Sequence, residues 1–227
     1  AEMFGRISPR YDLLNTLMTA GRHYAWRRLA ADLAVGNQSG PALDVATGTG
    51  DFAIDLALKR QVTHVVGLDF APQMLGLGLR KAWRRDLAHR IRYLVADAHS
   101  LPFPDDHFIC ATVGFGVRNF IDVPRAMREM ARVVRPGGRV VVLEIVRLEG
   151  SGPLARSFAL YFRYVTPLVG AVFAGDREAY TYLPQSVDGF LSATELTSLM
   201  EQAGFGNVTC RRMAMGTVAI HVGEVAR

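Results

Sequence analysis

An α/β fold built on a mostly parallel sheet is the class this 227-residue sequence predicts, and three observations predict it. Short apolar runs alternate with helix-length stretches from Leu43 to Val146, the pattern of parallel strands joined by right-handed crossovers. The stretch Leu43 to Ala53, LDVATGTGDFA, reads as a buried strand that turns sharply through Gly48, Thr49 and Gly50 into an apolar helix. The tail reads as two strands, Val208 to Met213 and Thr217 to Val222, around Ala214-Met215-Gly216; such a hairpin sets an antiparallel strand beside the parallel set. The expectation is a Rossmann-like sheet of seven strands in a single domain over residues 1–227, because half of the residues are apolar and two domains would each be unusually small.

The first element is a helical preface, residues 1–35, in which Tyr11, Leu14, Met18 and then Trp26, Leu29 and Leu33 recur at helical steps. Val35 to Pro41 is turn-rich and closes it. Leu43, Val45 and Ala46 form the first strand, Asp51 opens the first crossover helix, and Val62 to Leu68 is the second strand. A helix from Pro72 to about Arg85 and a strand from Ile91 to Val95 follow. The loop Pro102-Phe103-Pro104-Asp105-Asp106 leads to a fourth strand, Phe108 to Val113, and Val123 to Val134 has the period of an amphipathic helix. Arg135-Pro136-Gly137-Gly138 is expected to stop that helix as a turn before the fifth strand, Val140 to Val146. Leu154 to Ala174 is apolar but too polar and broken to span a bilayer; within residues 150–190 it is expected to pack on the domain, cover a greasy substrate or face a membrane. A helix over Thr194 to Ala203, opened by a Ser192/Thr194 cap and ended by Gly204, precedes the closing hairpin.

A net charge of +5 and a pI near 9.6 come mostly from Arg in two segments, Arg22 to Arg28 and Arg80 to Arg92. A solvated helix face is the plain explanation, an anionic membrane surface the livelier one, and nucleic acid is not expected because aromatic interleaving is weak. No long uncharged apolar run and no basic-then-apolar leader occur, so neither a membrane span nor a secretory signal is expected. The chain opens on Ala1 instead of Met, which leaves room for a native start upstream. Cys110 and Cys210 sit in apolar strand-like runs without metal spacing, which predicts buried thiols, a reducing compartment and no metal. Met127, Met130, Met200, Met213 and Met215 are expected in the core.

Gly48 to Ala53 matches GxGxxA, and Asp69 at the end of the second strand can accept both hydrogen bonds of a ribose diol, so the crevice is expected to hold a nucleoside. An NAD-type oxidoreductase fits that motif as well. Asp44 ahead of the glycines, Asp97-Ala98 after the third strand, the Pro-Gly-Gly turn and the final hairpin favour a class I S-adenosylmethionine methyltransferase. There Gly48 and Gly50 let the methionyl portion lie against the main chain, with Thr49 as a contact. Asp97 takes the adenine amine while the Ala98 N–H meets the ring nitrogen. Asp44, Phe70, Met74 and Gly114 complete the cofactor-binding candidates. Helix capping is the alternative role for Asp69 and Asp97, and a catalytically silent S-adenosylmethionine-binding scaffold stays open beside an enzyme.

Tyr11-Asp12-Leu13-Leu14-Asn15 with Thr19, His23 and Trp26 forms one signature, and Arg132 to Gly138 running to Leu143-Glu144 a second. With Phe115-Gly116-Val117-Arg118-Asn119 and Tyr180-Thr181-Tyr182-Leu183, they make the chain resemble the ubiquinone/menaquinone biosynthesis C-methyltransferases over nearly its whole length. Leu14, Thr19, Arg135 and Val146 depart from that pattern, where Met, Ser, Lys and Ser are usual; Val146 removes a hydroxyl. The resemblance implies methyl transfer from S-adenosylmethionine, leaving S-adenosylhomocysteine, to a ring carbon of a polyprenylated quinol. Demethylmenaquinol comes ahead of the ubiquinone precursor, and another small apolar acceptor is the alternative. Arg118 and Asn119, just past the fourth strand, are the catalytic candidates, the permanent charge of Arg118 suiting a developing phenolate. Tyr11, Asn15, His23, Phe115 and Tyr180 are the substrate-binding candidates. The implied location is cytoplasmic and peripheral, at the inner face of the membrane, with Leu154 to Ala174 docking the isoprenoid and a homodimer left open.

Overall fold

The computed structural model describes Thr16, Thr19 and residues 21–149 and 186–226. Strands β1 (Gly40–Val45), β2 (Val62–Asp69), β3 (Ile91–Val95), β4 (Phe108–Gly114), β5 (Val134–Ile145), β6 (Phe205–Met213) and β7 (Val218–Val225) make one sheet in the order β3-β2-β1-β4-β5-β7-β6. β1 to β5 run parallel, and β7 lies antiparallel between β5 and β6. The order reverses between β1 and β4, and in a sheet of this kind a ligand crevice opens beyond the carboxyl ends of the strands at that point.

Both faces of the sheet are covered, which is why its central strands read as unbroken apolar runs. On one face α1 (Arg22–Val35), α2 (Asp51–Ala57) and α3 (Pro72–Arg84) share a core that includes Ala30, Ala34, Phe52, Ile54 and Ala82. Leu43 and Val45 of β1 point to the other, where α4 (Val123–Val133) contributes Met127 and Met130 and α5 (Ala193–Gln202) contributes Leu196 and Met200. All four of these side chains are fully buried, and truncating any of them to Ala costs on the order of 2–5 kcal/mol in a packed core. α5 starts on a capping box: Ser192 Oγ accepts from Glu195 N at 3.2 Å, and the Glu195 carboxylate accepts from Ser192 N at 2.7 Å. Such a cap contributes about 1 kcal/mol and stabilises the helix that backs β6.

Several sequence expectations are corrected. Arg135 to Gly138 is no turn ahead of the fifth strand: α4 ends at Val133 and β5 begins at Val134, so that Phe108 pairs with Val134 but Cys110 with Arg139. The four residues bulge out of the pairing, where Pro136 needs no ladder bond. Cys110 is buried as expected, whereas Cys210 is exposed because β6 is the outer edge strand. Met215 is likewise exposed, at the tip between β6 and β7, where Ala214–Gly216 form a 3₁₀ turn. Leu154 to Ala174, and with it the proposed lid, lies outside the described residues.

Candidate functional site

Strand β1 leaves the sheet through Ala46 and β4 through Phe115, both in the left-handed region with φ of 52° and 57°. Neither is Gly, so each holds roughly 1–3 kcal/mol of strain that the surrounding contacts must offset. Between these two exits and the ends of β2 and β3 lies a cavity of about 330 Å³. Gly48, Asp69, Phe70 and Met74 line one side, and Asp97, Ala98 and His99 another. The remaining wall follows β4: Gly114, Phe115, Asn119, Phe120 and Ile121.

Nine of the candidates from the sequence therefore meet at one cavity. Gly48 has φ +54, and a Cβ there would meet nothing nearer than Met74 Cε at 4.0 Å, so it would intrude on open space where a ligand can approach the main chain. Asp69 braces this turn: Oδ2 accepts from Gly48 N and Oδ1 from Ala71 N, both at 2.9 Å. Burial pushes its carboxyl above the usual range, and those N–H donors oppose the rise. A carboxylate has room for further donors on each oxygen, so capping and ribose recognition coexist at this residue. Asp97 is different. Its side chain is 67% exposed, and the His99 N–H and imidazole hold its carboxyl below the usual carboxylate range.

Other candidates sit behind the cavity, not on it. Asp44 is buried under the turn, with Thr47 Oγ1 donating to Oδ2 at 2.5 Å and Thr112 Oγ1 donating to Oδ1 at 2.8 Å. Gly50, φ +78, begins α2 against Tyr93 and Gly78, where any Cβ would overlap the Tyr93 ring. Thr49 accepts from Lys81 Nζ at 2.8 Å, and the same ammonium reaches Asp51 Oδ1 at 2.9 Å. Arg27 approaches Asp51 from α1 at 3.4 Å and bonds Asp55 at 2.6 Å. Part of the basic excess is thus a clamp beneath the glycine turn.

Burial pushes the Asp44 carboxyl up to about 7 from 3.8, despite opposing hydrogen bonds from Thr47, Thr112 and Ala53 and the charge of Arg27. A folded-state value above the unfolded one means that the fold binds a proton the unfolded chain has already released. The contribution to stability is full below the unfolded value and is lost as pH rises through about 7. Asp44→Asn is therefore expected to be the more stable protein by a margin that widens by about 2–3 kcal/mol between about pH 5 and about pH 8, the two proteins matching only below the unfolded value of 3.8. Urea midpoints at the two pH values check this, and an unchanged difference between variant and wild type would show that Asp44 is ionised throughout.

Arg118 does not line the cavity. Its Nη1 donates to Glu144 Oε1 at 2.5 Å and to Phe115 O at 2.8 Å, and Glu144 is fully buried. The ion pair with Glu144 and the bond to the Phe115 carbonyl brace the loop of Phe115 in its left-handed turn. Only Asn119 of the two catalytic candidates lines the cavity. His23 is buried on α1, bonded through Nδ1 to Thr19 Oγ1 at 2.8 Å and stacked on Tyr24, and does not reach the cavity wall. Tyr11, Asn15 and Tyr180 lie outside the described residues. Sequence reasoning missed His99, Phe120, Ile121 and Glu144; a His two residues after Asp97, and two large apolar residues just past Asn119, were the available signals.

Among the described residues no group of His, Cys, Asp and Glu gathers into a metal site, and no helix is long and apolar enough to cross a membrane. Comparison with known proteins is informative over the whole chain. Residues 1–225 match the model of the ubiE/COQ5 methyltransferase family. A demethylmenaquinone methyltransferase of Thermus thermophilus is 45% identical over 98% of this chain and 99% of its own length. A ubiquinone/menaquinone biosynthesis C-methyltransferase of Geobacter sulfurreducens is 40% identical over 98% and 87%. Among solved structures, an S-adenosylmethionine-dependent methyltransferase of Thermotoga maritima superposes with a TM-score of 0.67 at 20% identity, over 98% of both chains, and so shares the fold.

Proposed function

Because the chain belongs to the ubiE/COQ5 methyltransferase family, we propose that its acceptor is demethylmenaquinol, methylated at a ring carbon to give menaquinol. The enzyme is an S-adenosylmethionine-dependent C-methyltransferase. One observation supports the acceptor class: the cavity changes character from the carboxylates of Asp69 and Asp97 to a wall of Phe115, Phe120 and Ile121, with Asn119 as its amide. The first half suits a nucleoside, the second a flat apolar ring.

The residues present fit the cofactor. Asp69 would accept from the ribose hydroxyls, Asp97 from the adenine amine, Ala98 N–H would donate to the ring, and the main chain at Gly48 would lie against the methionyl portion. Bound S-adenosylmethionine supplies a methyl group already electrophilic on its sulfonium. The protein's part is to align an acceptor carbon with it and to keep water from the encounter, tasks suited to the Phe115–Ile121 wall. Asn119, on the cavity wall, would hydrogen-bond a ring oxygen and set the ring's orientation. Arg118 serves this wall from behind, through Glu144 and the Phe115 carbonyl.

A polyprenylated acceptor resides in a bilayer, and α3 supports contact with its surface. Trp83 is 70% exposed there and Leu79 half-exposed, beside the exposed Arg80, Arg84 and Arg85. Apolar anchors next to Arg suit an anionic interface. A single experiment covers acceptor and surface. The protein is incubated with labelled S-adenosylmethionine and demethylmenaquinol or its benzoquinol counterpart in anionic vesicles, and both product mass and vesicle-bound protein are measured. A product heavier by one methyl from demethylmenaquinol is expected, with less protein bound for Trp83→Asp. Methylation of the benzoquinol alone would redirect the acceptor to the ubiquinone precursor, and unchanged binding of Trp83→Asp would remove α3 from the interface.

A further inference from the structure

We propose that His99 is a positioning residue for cofactor selection, fixing Asp97 so that its outer oxygen reads an exocyclic amine on the purine. The proposal rests on the assignment of Asp97 to the adenine. His99 Nε2 lies 3.1 Å from the backbone nitrogen of Asp122. A peptide N–H can only donate, so Nε2 must accept, and an imidazole that accepts at Nε2 carries its proton on Nδ1. That nitrogen is 2.6 Å from Asp97 Oδ1. The same oxygen also accepts the His99 N–H at 2.9 Å. Both donors fall on Oδ1, and among the described residues no hydrogen bond reaches Oδ2, which is left to accept from a ligand.

The imidazole is anchored on its far side. Asp122 caps α4 by accepting from Arg125 N at 2.9 Å, and Arg125 Nε donates back to His99 O at 2.9 Å. Phe120, another cavity residue, packs edge-on against the imidazole at 5.7 Å between centroids. An aspartate as exposed as Asp97 would otherwise sample several rotamers; holding one of them before binding removes an ordering cost from the complex. The chemistry that follows is selective. A carboxylate oxygen accepts an amine N–H but repels a carbonyl, so the arrangement favours adenine over hypoxanthine at the six-position of the ring.

Calorimetry with S-adenosylhomocysteine and S-inosylhomocysteine tests this on the intact protein. The wild type is expected to prefer the adenosyl compound by about ten- to a hundredfold, as for a charge-assisted hydrogen bond. His99→Ala should compress that ratio several-fold, chiefly by weakening the adenosyl compound, and His99→Asn should restore it, because Asn Nδ2 falls where Nδ1 donates. A merely structural role would weaken both ligands alike and leave the ratio standing. A wild-type ratio in His99→Ala, or an Asn variant no better than Ala, overturns the proposal. Asp97→Ala is the control: if it too keeps the ratio, the assignment of Asp97 to the adenine fails, a result distinct from failure at His99 alone.

Discussion

Arg118→Ala is expected to destabilise the fold by about 3–5 kcal/mol, because it leaves Glu144 as an unpaired charge inside the protein. Glu144 is fully buried, its Oε1 accepts from Arg118 Nη1 and Ile145 N, and Oε2 is 3.3 Å from Arg118 N. Removing the guanidinium strands this carboxylate and releases the Phe115 carbonyl that fixes the left-handed turn. Arg118→Met combined with Glu144→Leu should recover most of the loss, since two apolar chains of similar bulk avoid the desolvation that the ion pair must offset. Urea unfolding of the two variants reads this directly. The catalytic role expected from sequence makes a different forecast, with stability intact and only methyl transfer impaired. A stable Arg118→Ala protein with a collapsed kcat would restore that role, whereas a stable double variant that still turns over would remove it.

The contrast between Asp69 and Arg118 shows how far the sequence could be read. Asp69 and Asp97 were legible because position in a parallel sheet is enough: a carboxylate at a strand's carboxyl end faces the crevice whatever its rotamer. Asp44, before the end of β1, sits beneath the turn, where Thr47 and Thr112 bond it, instead of on the cavity. Arg118 also follows a strand end, but a long side chain can swing back, and a buried partner on β5 decided its direction. Nothing local marks Ala46 and Phe115 as left-handed; both conformations are imposed by tertiary contacts that override intrinsic preference. The edge position of β6 likewise depended on strand order, which exposed Cys210 against the expectation from its apolar run. Tyr11, Asn15 and Tyr180 lie outside the described residues, so their roles rest on the resemblance alone.

Asp69→Ala is expected to lower affinity for S-adenosylhomocysteine by about a hundredfold or more, the loss of two charge-assisted ribose hydrogen bonds of roughly 1.5–3 kcal/mol each. Affinity alone is ambiguous here. The substitution also unpairs Gly48 N and Ala71 N, which lets the glycine turn relax and weakens cofactor contacts that Asp69 never makes. A cycle that pairs the variant with 2′-deoxy-S-adenosylhomocysteine separates the two effects. If Asp69 holds the diol, the deoxy compound should bind the wild type about tenfold more weakly than the natural product, and this difference should vanish in Asp69→Ala. If Asp69 only braces the turn, the two losses add, because relaxing the turn does not depend on whether a 2′-hydroxyl is present. Asp69→Asn sharpens the cycle: it keeps one acceptor for the turn but offers an N–H where the other oxygen stood. It should fall between wild type and Ala in affinity, and its deoxy discrimination should depend on which oxygen of Asp69 faces the ribose.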